Sequence, residues 1–217
     1  MRIDKNSYGT VLLVYALSAV VICLLFCFVR IQWLDWILTA GLLWVCGWQT
    51  SFHMVPKRTT PPGEGLVTAV SDGKIVIIEK NYESEFLKQE CIQVSIYMDF
   101  WDFHANFWPA DGEINYTCYH PGKHLLAFKP KASLENEHAC SCIHTPDGKD
   151  ILFKQIAGGW ARRIVCYSRP GLAVERGKQC GIIKFGSRID YFLPLDAQIR
   201  VSLGEKVRAC ETIIAQL

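Results

Sequence analysis

The sequence has little net charge, which removes support for one broad class of partner. Its 217 residues include 23 lysines and arginines against 21 aspartates and glutamates, so the net charge is only +2 at pH 7. A protein that binds nucleic acid through its phosphates needs a marked basic excess. We therefore predict no nucleic-acid partner, and the length suits one domain plus a small additional segment.

The sequence also lacks a regular cysteine framework, although it contains ten cysteines. Cys23, Cys27 and Cys46 lie in apolar N-terminal segments, and the other seven are scattered apart from Cys140 and Cys142. A short secreted scaffold would show an even, paired arrangement. We predict a reducing compartment, in which the cysteines serve mostly as small apolar side chains.

Charge is absent from a long N-terminal run, residues 8–29. About 20 apolar residues cross a bilayer core, and a second apolar run, residues 33–48, follows after a very short link. We predict a transmembrane α-helical hairpin over residues 1–50, with helices at about 8–29 and 33–48. No small-residue cleavage site follows a short apolar core, so a secretory signal is disfavoured. A buried hairpin in a soluble protein is the weaker alternative.

Basic residues flank this predicted hairpin on both sides. Arg2 and Lys5 precede the first run, and Lys57 and Arg58 follow the second. Cytoplasmic segments next to membrane helices carry an excess of such residues. We predict localisation in the cell (inner) membrane, with the rest of the chain on the cytoplasmic side.

From residue 51 onward the sequence lacks the alternation of strand and helix patterns that is typical of α/β proteins. Residues 51–65 include the stretch VPKRTTPPGEG and are predicted to be a linker. Beyond it, short Val- and Ile-rich runs alternate with Asp-Gly and Pro-Gly turns, which predicts a mainly β domain over residues 66–217. The predicted strands are 74–80, 91–98, 139–145, 150–156, 162–167 and 181–185, with one short helix around 83–89. A weak internal repeat in the last fifty residues suggests a barrel-sandwich (lipoyl-like) C-terminal core.

Several motifs in this domain, taken in order, resemble one known family. They are VPKRT (55–59), SDGK (71–74), YHPGKHLLAFKPKASLENE (119–137), QIAGGWARRIVCY (155–167) and GIIKFGSRIDYFLP (181–194). Each motif is weak alone, but their order is specific. The chain resembles the phosphatidylserine decarboxylase proenzyme family in its short, membrane-anchored form, over roughly residues 52–217.

The resemblance implies that the chain cleaves itself between Gly186 and Ser187. In this family the serine hydroxyl attacks the preceding carbonyl, the peptide becomes an ester, and elimination leaves a dehydroalanine that hydrolyses to a pyruvoyl group. A glycine before the serine reaches strained backbone angles at low cost. The implied products are a large chain, 1–186, and a small chain, 187–217, which stay together.

The implied cofactor is the pyruvoyl group derived from Ser187. The amine of phosphatidylserine would form a Schiff base with it, and loss of carbon dioxide would give phosphatidylethanolamine. His104, in Asp-Phe-His, matches the first histidine of a family motif and is the implied base for self-cleavage, the acid that reprotonates the substrate, or both. Asp72 matches the family's acidic residue before glycine and is the implied catalytic partner that orients the base. Phe107 stands where long members have a second histidine.

Other candidates carry two interpretations each. Arg162, Arg163 and Lys123 are candidates for binding the lipid phosphate, although a solvated face suits each of them equally. The aromatic residues of 100–108 belong either to the core or to the lipid interface. His138, Cys140, Cys142 and His144 lie at period two along one strand, so the end residues are roughly 20 Å apart. One zinc ion cannot collect all four, and no metal is predicted.

Two competing functions remain open on the sequence. The first is a non-catalytic, membrane-tethered barrel-sandwich carrier or adaptor, which needs a modifiable lysine at a hairpin tip, whereas Lys184 lies inside an apolar strand. The second is a serine hydrolase using Ser187, His104 and Asp72, but the Gly-x-Ser-x-Gly elbow is missing. A homo-oligomer is possible, and the lipid head group is not fixed.

Overall fold

A computed structural model describes residues 1–29, 31–123, 125–126, 132–159, 163–184 and 187–217. The helices within these residues are α1 (Tyr8–Phe28), α2 (Gln32–Phe52) and the short α3 (Ala132–Glu135). The strands are β1 (Arg2–Ile3), β2 (Met54–Val55), β3 (Leu66–Thr68), β4 (Gly73–Glu83), β5 (Gln89–Met98), β6 (Ala105–Phe107), β7 (Gly112–His120), β8 (His138–His144), β9 (Asp150–Ala157), β10 (Arg163–Cys166), β11 (Ala173–Val174), β12 (Gln179–Lys184), β13 (Ser187–Leu193), β14 (Gln198–Ile199), β15 (Lys206–Val207) and β16 (Ile213–Gln216). The prediction of a mainly β domain behind an apolar helical segment is confirmed.

Helices α1 and α2 pack side by side as a hairpin. Ser18 and Cys46 are hydrogen-bonded across it (3.2 Å), as are Tyr15 and Thr50 (3.3 Å). Almost all side chains of α1 face outward, and Val11 is its buried exception. Among the described residues, α1 is the one helix long and apolar enough to cross a membrane. Helix α2 extends to Phe52, four residues beyond the predicted end at 48.

The domain is built on one curled, eight-stranded sheet with the order β11-β7-β8-β9-β13-β5-β4-β15. Strand β13 lies in its centre, antiparallel to β5 on one side and to β9 on the other. Its side chains alternate between the two faces. The inner face packs into a core that includes Ile96, Phe153, Ile189 and Tyr191, all fully buried. A fully buried isoleucine contributes roughly 1.5–3 kcal/mol.

Two three-stranded sheets accompany this half-barrel. One has the order β10-β12-β6, and the other has the order β14-β16-β3. The second is assembled from both ends of the domain, because β16 pairs with β3. The C-terminal segment from β13 to β16 is therefore an integral part of the domain and not a separate tail.

One segment differs from its sequence-based interpretation. Residues 84–87 form a turn, not the predicted helix, because the Glu83 carboxylate accepts the backbone N–H groups of residues 85, 86 and 87 at 2.8–3.0 Å. Residues of the predicted linker, 51–65, make specific contacts with other parts of the chain. Its β2 pairs with β1, and the Arg58 side chain is only 5% exposed.

Candidate active site

Four strand ends meet at one edge of the curled sheet. Ser187, the first residue of β13, pairs with Met98 at the end of β5 and with Ala157 at the end of β9. Gly73 begins β4 beside them. A Cβ at Gly73 would lie 2.4 Å from the carbonyl oxygen of Tyr97, and its φ of +152° suits glycine. We call these four residues the Ser187 edge.

Ser187 is fully buried and points into the core. It shares its face of β13 with Ile189 and Tyr191, because residues two apart lie on the same side. Its hydroxyl donates a hydrogen bond to the Met98 sulfur, Oγ to Sδ 2.8 Å. A thioether is a weak acceptor, so this contact holds the hydroxyl in place without satisfying it strongly. The predicted nucleophile thus lies in a dry, largely apolar setting.

His104 lies on the loop that leaves β5 after Met98 and enters β6. Its backbone carbonyl accepts the N–H of Ile183 (3.2 Å), so it runs alongside the strand that leads toward Ser187. The ring Nδ1 is 2.8 Å from the Asp102 carbonyl oxygen, an acceptor that fixes the proton on Nδ1. Nε2 is then the basic nitrogen.

Burial sets the charge of this histidine. His104 is fully buried, and the ring of Phe52 packs on it with centroids 4.7 Å apart. Burial lowers the pKa of His104 to about 4, against a smaller opposing effect of the Asp102 carbonyl. The imidazole is therefore neutral at pH 7, the state in which it accepts a proton.

Asp102 of the same loop is also perturbed. Burial, with the nearby charges of Asp99 and Asp72, raises the pKa of Asp102 to about 6, although a hydrogen bond from the Asp99 backbone opposes this. Its carboxylate accepts that N–H at 2.9 Å and closes the loop. The loop thus brings a second titratable group, one that changes charge near neutral pH, beside His104.

Asp72 lies at the edge next to Gly73, and its carboxylate is bound on both oxygens. Oδ2 is 2.8 Å from the Arg58 guanidinium, and Oδ1 accepts the backbone N–H of Ala209 at 2.7 Å. Burial raises the pKa of Asp72 despite these two contacts. The Asp72 carboxylate therefore connects the start of β4 to two distant parts of the chain, the segment that contains Arg58 and the C-terminal segment that contains Ala209.

The arginine after Ser187 lies on the opposite, outer face of β13. Arg188 is buried and pairs with Asp190 through Nε and Nη2, at 2.5 and 3.1 Å, and Nη2 also donates to Ser95 at 3.1 Å. Asp190 further accepts the hydroxyl of Ser133 at 2.6 Å. A charge in mid-sheet is stable here because it is paired and hydrogen-bonded.

The segment between β7 and β8 is tied to the Ser187 edge through Asn136. Its side-chain amide donates to the carbonyl oxygen of Ala157 at 2.7 Å and to that of Leu125 at 2.7 Å. Ala157 is the direct partner of Ser187. The Asn-Glu part of the family-like stretch therefore positions a loop against the edge.

The predicted phosphate-binding residues are not equally described. Arg162 and the predicted cleavage partner Gly186 lie outside the described residues. Arg163 begins β10 and is exposed. The Lys123 side chain is 70% exposed and pairs with Glu135 at 3.0 Å.

The aromatic residues of the loop region divide between the two interpretations. Phe107 and Trp108 are buried, each 4% exposed, whereas Trp101 is 71% exposed. Trp101 lies 6.3 Å from the ring centroids of both Trp44 and Trp48 of α2. An outward aromatic surface thus runs from α2 onto the loop that carries His104.

Sequence reasoning missed two residues of this site. Arg58, the partner of Asp72, stands in the VPKRT stretch, which was noticed only for its family resemblance and for the charge of its basic residues. A buried arginine beside a turn aspartate has no local signature. Met98 had no signal either, because its role follows from strand register alone.

Comparison with known proteins identifies the family. The family model described as phosphatidylserine decarboxylase matches residues 47–215. A phosphatidylserine decarboxylase proenzyme of Amoebophilus asiaticus is 45% identical over 170 residues, which is 78% of this chain and 76% of the relative. The proenzyme of Porphyromonas gingivalis is 36% identical over 219 residues, covering 100% of this chain and 99% of its own. A site built on a buried serine at a sheet edge, within a chain matched over this length, leads to one conclusion: this chain belongs to the phosphatidylserine decarboxylase family.

Proposed function

We propose that this chain is a self-processing enzyme that converts phosphatidylserine to phosphatidylethanolamine and carbon dioxide. The observation that supports this most is the position of Ser187. It is a buried serine at the start of a central strand, flanked by Met98 and Ala157, and the neutral histidine His104 lies on the adjoining loop. The names of the relatives support the same substrate.

Self-cleavage is proposed between Gly186 and Ser187, with Ser187 as nucleophile. A serine hydroxyl needs a base, and a histidine that is neutral at pH 7 supplies one. His104 meets that requirement because burial keeps its pKa near 4. Its Nδ1 is committed to the Asp102 carbonyl oxygen, so Nε2 is the atom that takes the proton.

The environment of Ser187 also suits the proposed cofactor. A pyruvoyl group derived from Ser187 would supply an electron-accepting carbonyl for loss of the substrate carboxylate. The chain excludes water there with fully buried neighbours, Met98 and Ala157 among them. Since His104 is neutral at pH 7, it can donate a proton only after it has accepted one. Asp102, whose pKa is raised to about 6, keeps a minor protonated fraction at neutral pH and is a second titratable group on the same loop.

We infer a positioning role for Asp72 rather than a direct hydrogen bond to the base. Its two oxygens hold Arg58 and the Ala209 N–H. Ala209 belongs to the proposed small chain and Arg58 to the large one, so Asp72 joins the two. Tyr191 does the same, because its hydroxyl accepts the Val70 N–H at 2.6 Å.

The two proposed chains are expected to remain associated after cleavage. Residues 187–217 supply β13, the centre of the large sheet, and β16, which pairs with β3. Removing that segment would open the core on both sides. The proposed division is a membrane hairpin over 1–50, a connecting segment over 51–65 and the decarboxylase domain over 66–217.

A membrane position fits a lipid substrate. Helix α1 is long and apolar enough to cross a bilayer. We propose that α2 returns across it, that both ends are cytoplasmic, and that the exposed Trp101 and the tryptophans of α2 lie at the interface, where such rings are enriched. The end of α2 contacts the site itself, because Phe52 packs on His104.

We propose that the exposed cations Arg163 and Lys123, together with Arg162, contribute to binding the lipid phosphate. The support is their exposure and the bidentate fit of guanidinium to phosphate. The carrier alternative is disfavoured by Lys184, which is 8% exposed inside β12, with Nζ 3.3 Å from the Asn6 carbonyl oxygen. Such a lysine cannot swing out as a modified arm.

The test compares the intact mass and lipid decarboxylation of the wild type with those of Ser187→Ala and Ser202→Ala. Ser202 is exposed and lies outside the site, so it is the matched control. We expect the wild type and Ser202→Ala to split into a large chain and a fragment of residues 187–217 with a blocked N-terminus, and to release carbon dioxide from phosphatidylserine. Ser187→Ala should stay whole and inactive. A full-length, unmodified wild type would overturn the proposal.

A further inference from the structure

The outer face of the curled sheet carries a second cluster of reactive side chains, away from the face that holds Ser187. Glu85, His120, His138 and Cys140 each present one potential ligand atom, and these atoms all lie within 4.8 Å of one another. We call them the outer cluster. The mechanism above uses none of the four.

Three different segments bring the outer cluster together. His120 ends β7 and is the cross-strand partner of His138, which begins β8, so their rings stack with centroids 4.6 Å apart. Cys140 follows His138 by two residues and therefore shares its face. Glu85 comes from the turn between β4 and β5, which folds over this face. The cluster takes only two residues from β8, so the spacing that forbids one ion from binding four residues of that strand does not apply.

The distances suit a single small ion. Glu85 Oε1 is 2.7 Å from His120 Nε2, and Oε2 is 3.1 Å from Cys140 Sγ. Ligands at about 2.0–2.3 Å from one tetrahedral ion are roughly 3.3–3.7 Å apart. An ion thus requires side-chain shifts of about an ångström or less between these pairs, not a change in the backbone.

One histidine is already oriented as a ligand. His138 Nδ1 lies 2.6 Å from the carbonyl oxygen of Asn136, which fixes the proton on Nδ1. Nε2 then carries the lone pair that a metal needs. A metal-bound histidine commonly donates its other N–H to a backbone carbonyl in this way.

The charges around the cluster also favour a divalent cation. Lys154 is the only ammonium that contacts it among the described residues, and it lies between two carboxylates, 2.9 Å from Glu85 and 3.5 Å from Glu83. Two carboxylates against one ammonium leave one negative charge in excess. A divalent ion together with the Cys140 thiolate balances that charge. Glu83 can retain Lys154 when Glu85 turns to the ion.

We propose that the outer cluster is a structural zinc site with Glu85, His120, His138 and Cys140 as ligands. Two imidazoles, one thiolate and one carboxylate suit the borderline-soft Zn²⁺ better than Mg²⁺ or Ca²⁺. Four protein ligands fill the tetrahedron, which is typical of structural rather than catalytic sites. The ion reaches the cluster from the solvent side, where the His120 side chain is 38% exposed.

The proposed ion would fix the base of the loop between β7 and β8. His120 and His138 are the residues at which the chain leaves and re-enters the sheet, and Asn136, two residues before His138, binds the partner of Ser187. Binding energy at such a site is folding energy for the segment that it closes. That this loop adjoins an active site rests on the proposed function; the metal site itself does not.

The experiment uses the full chain in detergent, stripped with a chelator, reloaded with Zn²⁺ and then dialysed. We expect one zinc per chain by elemental analysis. With Co²⁺ in its place, we expect the visible spectrum of a tetrahedral ion and a sulfur-to-cobalt charge-transfer band. Substoichiometric zinc and an octahedral cobalt spectrum in the wild type would overturn the proposal, without any need for a variant to fold.

Matched variants identify the sulfur ligand. Cys140→Ser should abolish the charge-transfer band and weaken Zn²⁺ binding by more than about 100-fold, beyond the 10–100-fold typical of an outer partner. Cys142→Ser changes a buried cysteine two residues along the same strand. This variant should keep both the charge-transfer band and the affinity for Zn²⁺. Equal losses in the two variants would contradict the assignment. Zinc binding is read separately from self-cleavage, so the two proposals fail independently.

Discussion

The pKa values of titratable groups on the two sides of the curled sheet are controlled by different effects, burial on one side and hydrogen-bonding or charged partners on the other. On the loop that follows β5, near the Ser187 edge, burial dominates and keeps His104 neutral, with a pKa of about 4. On the outer face partners dominate. Although burial alone would raise it, hydrogen bonds from Cys140, His120 and Lys154 lower the pKa of Glu85 to about 2. The same scaffold thus holds a neutral histidine on one side and a negatively charged carboxylate on the other. The first environment suits the proposed proton transfer, and the second suits the proposed cation site.

The largest expected difference between the two sides of the sheet is in the rate of self-cleavage, and His104→Asn should reveal it. General-base catalysis contributes about 10²–10⁴-fold, so self-cleavage should slow by that range while the fold persists. The readout is the time course of conversion of the intact chain, followed by mass spectrometry. His144→Asn changes an exposed histidine bound to Asp150 on the other end of the sheet and should leave the rate unchanged. Processing of His104→Asn at the wild-type rate would remove His104 from the mechanism.

The ion pair between Arg58 and Asp72, next to the Ser187 edge, should affect stability as a buried ion pair does. Arg58→Met leaves Asp72 buried without its cation, which costs about 3–5 kcal/mol, and we expect a lower thermal midpoint and a weaker hold on the small chain. The control is Arg208→Met. Arg208 also contacts Glu211, at 3.3 Å, but its side chain is 68% exposed, so the loss should be about 0–1 kcal/mol. Equal shifts in the two variants would show that burial does not govern this pair.

The pH dependence of self-cleavage tests the neutral histidine directly. A base works in its unprotonated form, so its rate is retained above its pKa and lost below it. With a pKa of about 4 for His104, the rate should fall less than about twofold between pH 7.5 and 5.5. An ordinary histidine near 6.5 would lose about tenfold over that range. The measurement uses freshly synthesised, uncleaved chain from a cell-free system. A tenfold fall would mean that His104 is solvated or is not the base.

The sequence predicted the parts of this architecture that depend on local pattern. Short runs rich in Val and Ile, bounded by turn residues, located β4, β5, β8 and β9, because such residues favour strands and turn residues end them. The single helix around 83–89 was wrong, because Glu83 satisfies the backbone N–H groups of a turn in a manner that resembles a helix start in sequence.

What the sequence did not predict depends on contacts between distant segments. Strand register and sheet curvature bring three pairs of distant residues into contact: Arg58 with Asp72, Ser187 with Met98, and Glu85 with His120. No local rule places residue 85 beside residue 140. The roles proposed for Ser187 and His104 came from motif resemblance, which named the residues but gave no geometry.

The smallest predicted effect concerns the aromatic surface that joins α2 to the His104 loop. Trp101 is 71% exposed and packs near Trp44 and Trp48, so it should anchor the loop at the bilayer surface. Because most of the proposed membrane attachment would come from α1, Trp101→Ala should raise the KM for phosphatidylserine in vesicles by roughly two- to five-fold, as expected for the loss of one interfacial ring of about 0.5–1 kcal/mol. The KM for a soluble, short-chain phosphatidylserine should stay unchanged, which separates lipid contact from damage to the site. Tyr82→Ala removes another exposed ring, 57% exposed at the far end of β4, and should change neither value. If Trp101→Ala raises the KM for both substrates equally, the ring stabilises the loop and does not contact the membrane. The aromatic surface would then be part of the protein's own packing rather than a bilayer contact.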